Sequence, residues 1–213
     1  MNLSPLYADD ALLVFDKPAG LLCVPGRGED KQDCLVARVQ TQWPEALTVH
    51  RLDMATSGLV VMGRGPAAQR RLSEAFEQRL TDKRYTAVVH GDVRASTGAE
   101  HGVIEAPLII DWPNRPRSKV CADTGKPSTT HWRIVSRADT AHGPVTRLAL
   151  QPITGRTHQL RVHLLHIGHP IVGDALYAPD PTHSARLLLH AQSLSLPHPI
   201  GGQTMQFESP CPF

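Results

Sequence analysis

The hydrophobic residues fall first into a short unbroken run, Leu12 to Phe15 within Ala11 to Asp16, which reads as a core strand. Lys17-Pro18-Ala19-Gly20 then turns the chain. Asp33 is placed to cap a short helix running to about Gln42, with Leu35, Val36 and Val39 on one face and Trp43-Pro44 as the stop. Gly58 to Met62 is a second strand candidate. After it, Pro66 opens a helix on which Leu72, Ala75, Phe76 and Leu80 recur at intervals of three and four, while Arg70, Arg71, Glu74 and Glu77 take the other faces. Strand patterns follow at Arg84 to His90, Val103 to Ile110, Thr129 to Val135 and Val145 to Leu150. A short helix is expected over His158 to Gly168, carried by Leu160, Leu164 and Leu165, with Gly168 ending it and Pro170 close behind. Arg186 to His190, Gln192 to Leu196 and Thr204 to Phe207 close the pattern as strands. Strands and helices do not alternate strictly, so the expected class is α+β around a mixed, mostly antiparallel sheet.

Composition bounds this picture. With 213 residues, 41% hydrophobic and 20% charged, the chain can bury an ordinary core, and one domain spanning 1–213 is expected. No apolar stretch is long enough for a membrane span, and Met1-Asn2-Leu3-Ser4-Pro5 lacks the charged and apolar regions of a secretory leader, so no membrane partner and a cytoplasmic location are expected. Cys23, Cys34, Cys121 and Cys211 are widely spaced and read as reduced thiols. Net charge is only +2, which leaves the placement of charge as the informative quantity. Nothing such as a heptad repeat calls for self-association, and a monomer is expected.

The chemistry concentrates at Val49-His50-Arg51-Leu52-Asp53-Met54-Ala55-Thr56-Ser57-Gly58, where basic groups precede an acid that is followed by turn-forming residues. Taken alone, Asp53 reads as a turn aspartate accepting local backbone hydrogen bonds. It is not alone. His50-Arg51-Leu52-Asp53 followed by Thr56-Ser57-Gly58 resembles the signature loop of the RluA family of pseudouridine synthases, whose aspartate is the nucleophile. Lys17-Pro18-Ala19-Gly20-Leu21, Lys83-Arg84-Tyr85, Thr154 to His163 (TGRTHQLRVH) and Leu187-Leu188-Leu189-His190-Ala191 resemble the other family motifs, in the family's order, over Val14 to Pro210. Val24-Pro25-Gly26, Asp53 to Gly58, Asp111 to Pro116 and Lys119-Val120-Cys121 look especially like the dual-specificity type, which acts on 23S ribosomal RNA and on transfer RNA. Some relatives carry an N-terminal S4 domain; Lys17-Pro18 comes too early here for one to be expected.

The resemblance implies the pseudouridine synthase fold and an isomerase that needs no cofactor and no metal. Its substrate is a uridine in a hairpin loop of 23S ribosomal RNA or of the transfer RNA anticodon stem-loop. The reaction breaks the N1 to C1′ bond, turns the base, joins C5 to C1′ and removes the C5 proton, so nothing is oxidised or hydrolysed. An ionised carboxylate suits the first step, and attack at C1′, addition to C6 or a glycal route all remain open for Asp53. A carboxylate under a flipped base needs a fixed cation to stay ionised, the role the resemblance implies for Arg156, whose planar guanidinium can bind one carboxylate twice. Tyr85, by itself a core tyrosine, is implied to stack under the base and to act in proton removal. Arg51 is implied to fill the gap that the flipped base leaves.

His50 and Arg161, inside the motifs, and Leu189, one of two leucines of which one is expected to be core, complete the candidates around RNA and base flipping. Between Trp112 and Arg133 stand Arg115, Arg117, Lys119, Lys126 and Arg133 against Asp123, with Pro113, Pro116 and Pro127 preventing one regular element. Such a basic excursion suits an RNA loop, and Arg64, Arg70, Arg71, Lys83 and Arg84 offer a second edge. Among other chemistries, zinc is disfavoured although there are 12 histidines, because His158, His163, His166 and His169 match no ligand spacing. A glycosidase would need two flanking carboxylates. Two alternatives stay open: an RNA-binding or RNA-folding protein in which isomerisation is secondary, and a family member acting on one other RNA.

Overall fold

The computed structural model describes residues 4–95 and 98–213, so Met1 to Leu3 of the start read above lie outside it. Its elements in chain order are β1 (Tyr7–Ala8), β2 (Leu12–Lys17), α1 (Leu35–Gln40), β3 (Ala46–Thr48), β4 (Ser57–Arg64), α2 (Pro66–Glu77) and β5 (Asp82–His90). After these come β6 (His101–Glu105), β7 (Leu108–Ile110), β8 (Ser118–Val120), β9 (Thr129–Thr140), β10 (Gly143–Pro152), α3 (Gln159–His166), β11 (Leu189–Pro197) and β12 (Thr204–Glu208). The chain divides into two compact units. One runs to Lys83 and resumes over His190–Pro212; the other is Arg84–Leu189 with Phe213.

In the first unit β4 is the central strand. It lies antiparallel to β2 along one edge, while its other edge takes β11 in parallel at Ser57 and Gly58 and β3 in antiparallel at Met62 to Arg64. Strands β1 and β12 extend the sheet antiparallel from β2 and β11. Leu12 and Val14 join Leu59, Val61, Leu72, Leu194, Leu196 and Phe207 in one buried cluster, whereas Phe15 meets Trp43 edge-on with ring centres 6.1 Å apart. Burial on both faces explains why Leu12 to Phe15 is continuously apolar. Gly58 makes the β4 to β11 pairing possible: its φ is +114°, and a Cβ there would stand 2.3 Å from the carbonyl oxygen of Ala191.

Both helices of this unit differ slightly from expectation. Asp33 does not cap α1: the N-cap is Cys34, and Asp33 instead forms a two-bonded ion pair with Arg38, at 2.7 and 2.6 Å. Helix α2 buries Ala68, Leu72 and Ala75 but stops short of Leu80, which is 60% exposed. Arg79 takes a left-handed conformation, φ 60°, and the Leu80 N–H donates to Ala75 O while the Arg79 N–H donates to Phe76 O, so the chain turns out one residue too early for Leu80 to pack.

In the second unit β10 lies between β5 and β9, all antiparallel, with a bulge at Arg147/Leu148, and β6 pairs with the far edge of β9. The expected strand Val103 to Ile110 is two strands broken at Ala106-Pro107: β6 stays in this sheet, and β7 forms a separate hairpin with β8. Helix α3 is shorter than the span expected, because His158 is left-handed at φ 55° and the chain leaves the helix at Ile167. Its Val162 packs with Leu108 and Tyr177. The expected strands Arg186 to His190 and Gln192 to Leu196 are instead one strand, β11, without Arg186 to Leu188.

Candidate active site

Asp53 lies in the loop entering β4, half-buried, and its carbonyl accepts the Thr56 N–H at 3.1 Å, closing a turn. This loop is tied down on several sides. The side chain of Lys17 is fully buried, and its ammonium donates to the carbonyls of Pro18 at 2.9 Å, Leu21 at 2.8 Å and Met54 at 3.1 Å. The Gly20 N–H donates to the same Met54 carbonyl at 2.8 Å. Just before Asp53, the Leu52 N–H donates to Cys23 Sγ at 3.2 Å, and burial pushes that thiol's pKa up. Just after it, the Ser57 hydroxyl meets His190 Nδ1 at 2.9 Å, and His190 Nε2 meets the Ser209 carbonyl at 3.1 Å. Lys17 and His190 were legible as motif members, yet only the folded chain shows that they clamp the turn carrying the carboxylate.

His50 corrects an expectation. Its Nε2 accepts the Val61 N–H at 3.0 Å, and its ring stacks on Phe76 with centres 4.5 Å apart. Burial, with the charge of Lys83 adding to it, lowers its pKa to about 3. A neutral imidazole already engaged with β4 and α2 anchors the loop and brings no charge to RNA. Arg51 beside it is exposed.

In the second unit Tyr85 begins the stretch of β5 that pairs with β10, opposite Leu150, and is half-buried. Arg156 is exposed on the loop between β10 and α3. Gln159, nearly buried, uses its whole amide to hold that loop. Its Oε1 accepts from the Thr154 hydroxyl at 2.7 Å and the Arg156 N–H at 3.0 Å, while its Nε2 donates to Thr129 O and Thr130 Oγ1, each at 3.0 Å. Next along α3, His163 has both ring nitrogens occupied, Nδ1 by Thr130 Oγ1 and Nε2 by Ala106 O, each at 3.0 Å; burial lowers its pKa.

A relation to known proteins can be read against this geometry. The pattern of RNA pseudouridylate synthase matches residues 11–166, from the strand before the Lys17 turn to the end of α3. The chain belongs to the RNA pseudouridylate synthase family. It is 48% identical over 210 residues to the dual-specificity RNA pseudouridine synthase RluA of Escherichia coli K12, covering 98% of this chain and 93% of that protein. The same named protein of Yersinia pestis is also 48% identical, over 98% of both chains. Among solved structures, human RNA pseudouridylate synthase domain containing 1 superposes with a TM-score of 0.82 at 28% identity, covering all of this chain and 84% of that one. The molecule is therefore a pseudouridine synthase, an isomerase acting on RNA, in the α+β fold of that family.

Of the RNA-facing residues proposed from this synthase's sequence, Arg115 and Arg117 are exposed on the connection between β7 and β8, and Lys119 is exposed on β8 itself. Arg115 lies over the Trp112 ring at 4.4 Å, Arg117 donates to the Leu176 carbonyl, and Lys119 pairs with Asp111 at 3.2 Å. Arg161 is not one of them. Its guanidinium is 5% exposed and forms two hydrogen bonds with the fully buried Asp174, Nε at 2.8 Å and one terminal nitrogen at 2.7 Å. A buried guanidinium held in this way braces the fold and does not reach a phosphate. Leu189 is likewise core at 3% exposure, whereas Leu188 keeps some accessible surface, so the pair divides as expected but Leu189 takes the core place. Among the described residues no helix is long and apolar enough to cross a membrane.

Proposed function

We propose that this pseudouridine synthase has dual specificity, isomerising a uridine in a 23S ribosomal RNA hairpin and one in the anticodon stem-loop of transfer RNA. The observation that carries this reading is the near full-length match to dual-specificity relatives, with every motif intact. Asp53 is the nucleophile, Arg156 the cation that keeps it ionised, and Tyr85 the platform under the base that also serves in removing the C5 proton. Arg51 occupies the gap in the RNA stack. Exposure of Arg51 and Arg156 on loops braced by Lys17, His50 and Gln159 supports these roles, since such side chains act best from rigid supports. Both units together make the single catalytic domain, which works in the cytoplasm as a monomer without cofactor. Hairpin loops suit the reaction because an unpaired base costs less to flip.

The test is tritium release from RNA labelled at uridine C5, using unmodified transfer RNA and 23S fragments in separate reactions. Release from both is expected. Release from one alone would reduce the activity to a single RNA class, and release from neither by an RNA-binding protein would point to the RNA-binding alternative.

A further inference from the structure

Strand β6 ends the sheet of the second unit, and among the described residues no strand pairs with its outer edge. Its inner edge is committed. Glu100 O accepts the Ile134 N–H at 2.7 Å and the Ala106 N–H donates to Ser128 O at 3.2 Å, and both pairs continue the register in which Gly102 faces Trp132 and Ile104 faces Thr130. Hydrogen-bonded and non-bonded pairs alternate along an antiparallel ladder, so the even-numbered residues of β6 spend their peptide groups on β9. The N–H and C=O groups of His101, Val103 and Glu105 therefore point away from β9 in one row. The side chains of these residues are exposed, Val103 at 52%, while Ile104 is buried on the opposite face. Edges of natural sheets are commonly blunted by lysine, proline or a bulge, and β6 has none of these over its five residues.

This edge is complementary to itself. When two copies of β6 lie antiparallel with Val103 against its own counterpart, His101 of each stands opposite Glu105 of the other. Every outward N–H then meets an outward C=O, about six hydrogen bonds in all. An imidazole faces a carboxylate at both ends, and like meets like only at the apolar centre. Arg133, beside His101 on β9, adds a cation on the side where the second Glu105 arrives. Sliding the copies by two residues leaves about four of these bonds and removes both His-to-Glu pairs. We propose that the outer edge of β6 is a docking surface for a second copy of this chain, joined about a twofold axis through Val103. One short strand from each copy buries far less than the roughly 1,000 Å² of a stable interface, so the contact is weak, with a dissociation constant on the order of 0.1–1 mM. The single chain thus remains the working form at low concentration, and the contact forms as concentration rises. The inference does not depend on which RNA is the substrate.

Sedimentation velocity from about 10 µM to about 1 mM spans the expected range. The full chain is compared as wild type, Val103→Lys, His101→Glu, Glu105→Lys and the double variant His101→Glu/Glu105→Lys. The sedimentation coefficient of wild type is expected to rise with concentration. Val103→Lys sets two ammonium groups against each other at the axis and is expected to abolish the rise. Each single charge variant removes the attraction at both ends and is expected to weaken association about fivefold, whereas the double variant exchanges the charges and restores it. All three positions are exposed, so the replacements leave folding intact, which circular dichroism checks. A wild type that stays a single chain throughout, a rise that survives Val103→Lys, or a double variant no better than the single ones overturns the proposal.

Discussion

Gln159→Leu removes an amide of similar volume whose four hydrogen bonds join the Arg156 loop to the end of β9. Two of the four are buried, those to the hydroxyls of Thr154 and Thr130. Neither hydroxyl is left alone by the change, because Thr154 still accepts from the Thr129 N–H at 3.0 Å and Thr130 still meets His163 Nδ1 at 3.0 Å. The loss is thus one of net bonds, about 0.5–1.5 kcal/mol each for the buried two and less for the part-exposed two, or roughly 2–4 kcal/mol in all. Urea unfolding reads this directly. In the protein that remains folded, Arg156 is no longer fixed through its backbone, and kcat for tritium release is expected to drop by at least about tenfold. Gln159→Glu separates the two halves of the amide. The carboxylate keeps the bonds to Thr154 and Arg156 but has no donor for Thr129 O and Thr130, and burial raises its folded pKa above the unfolded value near 4.3. Its stability deficit relative to wild type therefore shrinks as pH falls through that raised pKa. A cost below about 1 kcal/mol for Gln159→Leu with unchanged kcat would refute the argument that Gln159 positions Arg156.

Other outcomes follow from the same geometry. Asp174→Ala removes the carboxylate that pairs with the buried Arg161 guanidinium, 5% exposed, and is expected to cost about 3–5 kcal/mol in chemical denaturation; Arg115→Ala should leave stability unchanged and lower the salt slope of RNA binding by about 0.7–0.9. His50 takes up its proton near pH 3 when folded but near 6.5 when unfolded, so its contribution is intact above pH 6.5 and lost as pH falls towards about 3. Acid titration of wild type should show this loss, and His50→Gln should show a shallower one. Gly58→Ala meets Ala191 O at 2.3 Å with φ at +114° and is expected to lose more than about 2 kcal/mol in thermal unfolding.

Local patterns were legible where local physics decides. The continuous run Leu12 to Phe15 and the Pro66 helix appear as read, because burial on two faces and a three-to-four spacing leave their mark in the chain itself. Helix ends were not, since Asp33 had a stronger partner in Arg38 and Arg79 took a left-handed turn usually reserved for glycine. The break of Val103 to Ile110 was marked by Pro107, a residue that cannot donate to a ladder, but the separate hairpin beyond it depends on pairing with β8. The motifs put Asp53, Tyr85 and Arg156 forward as candidates, while the partners of His50 and Arg161 are far off in the chain or on another element and no spacing reports them. The chain offers His50 and Arg161 only as candidates for RNA contact, and it is the fold that engages them with Val61 and Asp174.

The central claim is that Asp53 carries the chemistry of an RNA isomerase, and the measurement that meets it most directly is tritium release from C5-labelled RNA by wild type and Asp53→Asn at matched RNA occupancy. Release by wild type and none by the variant, with binding retained, is the predicted result; comparable release by both would contradict the account.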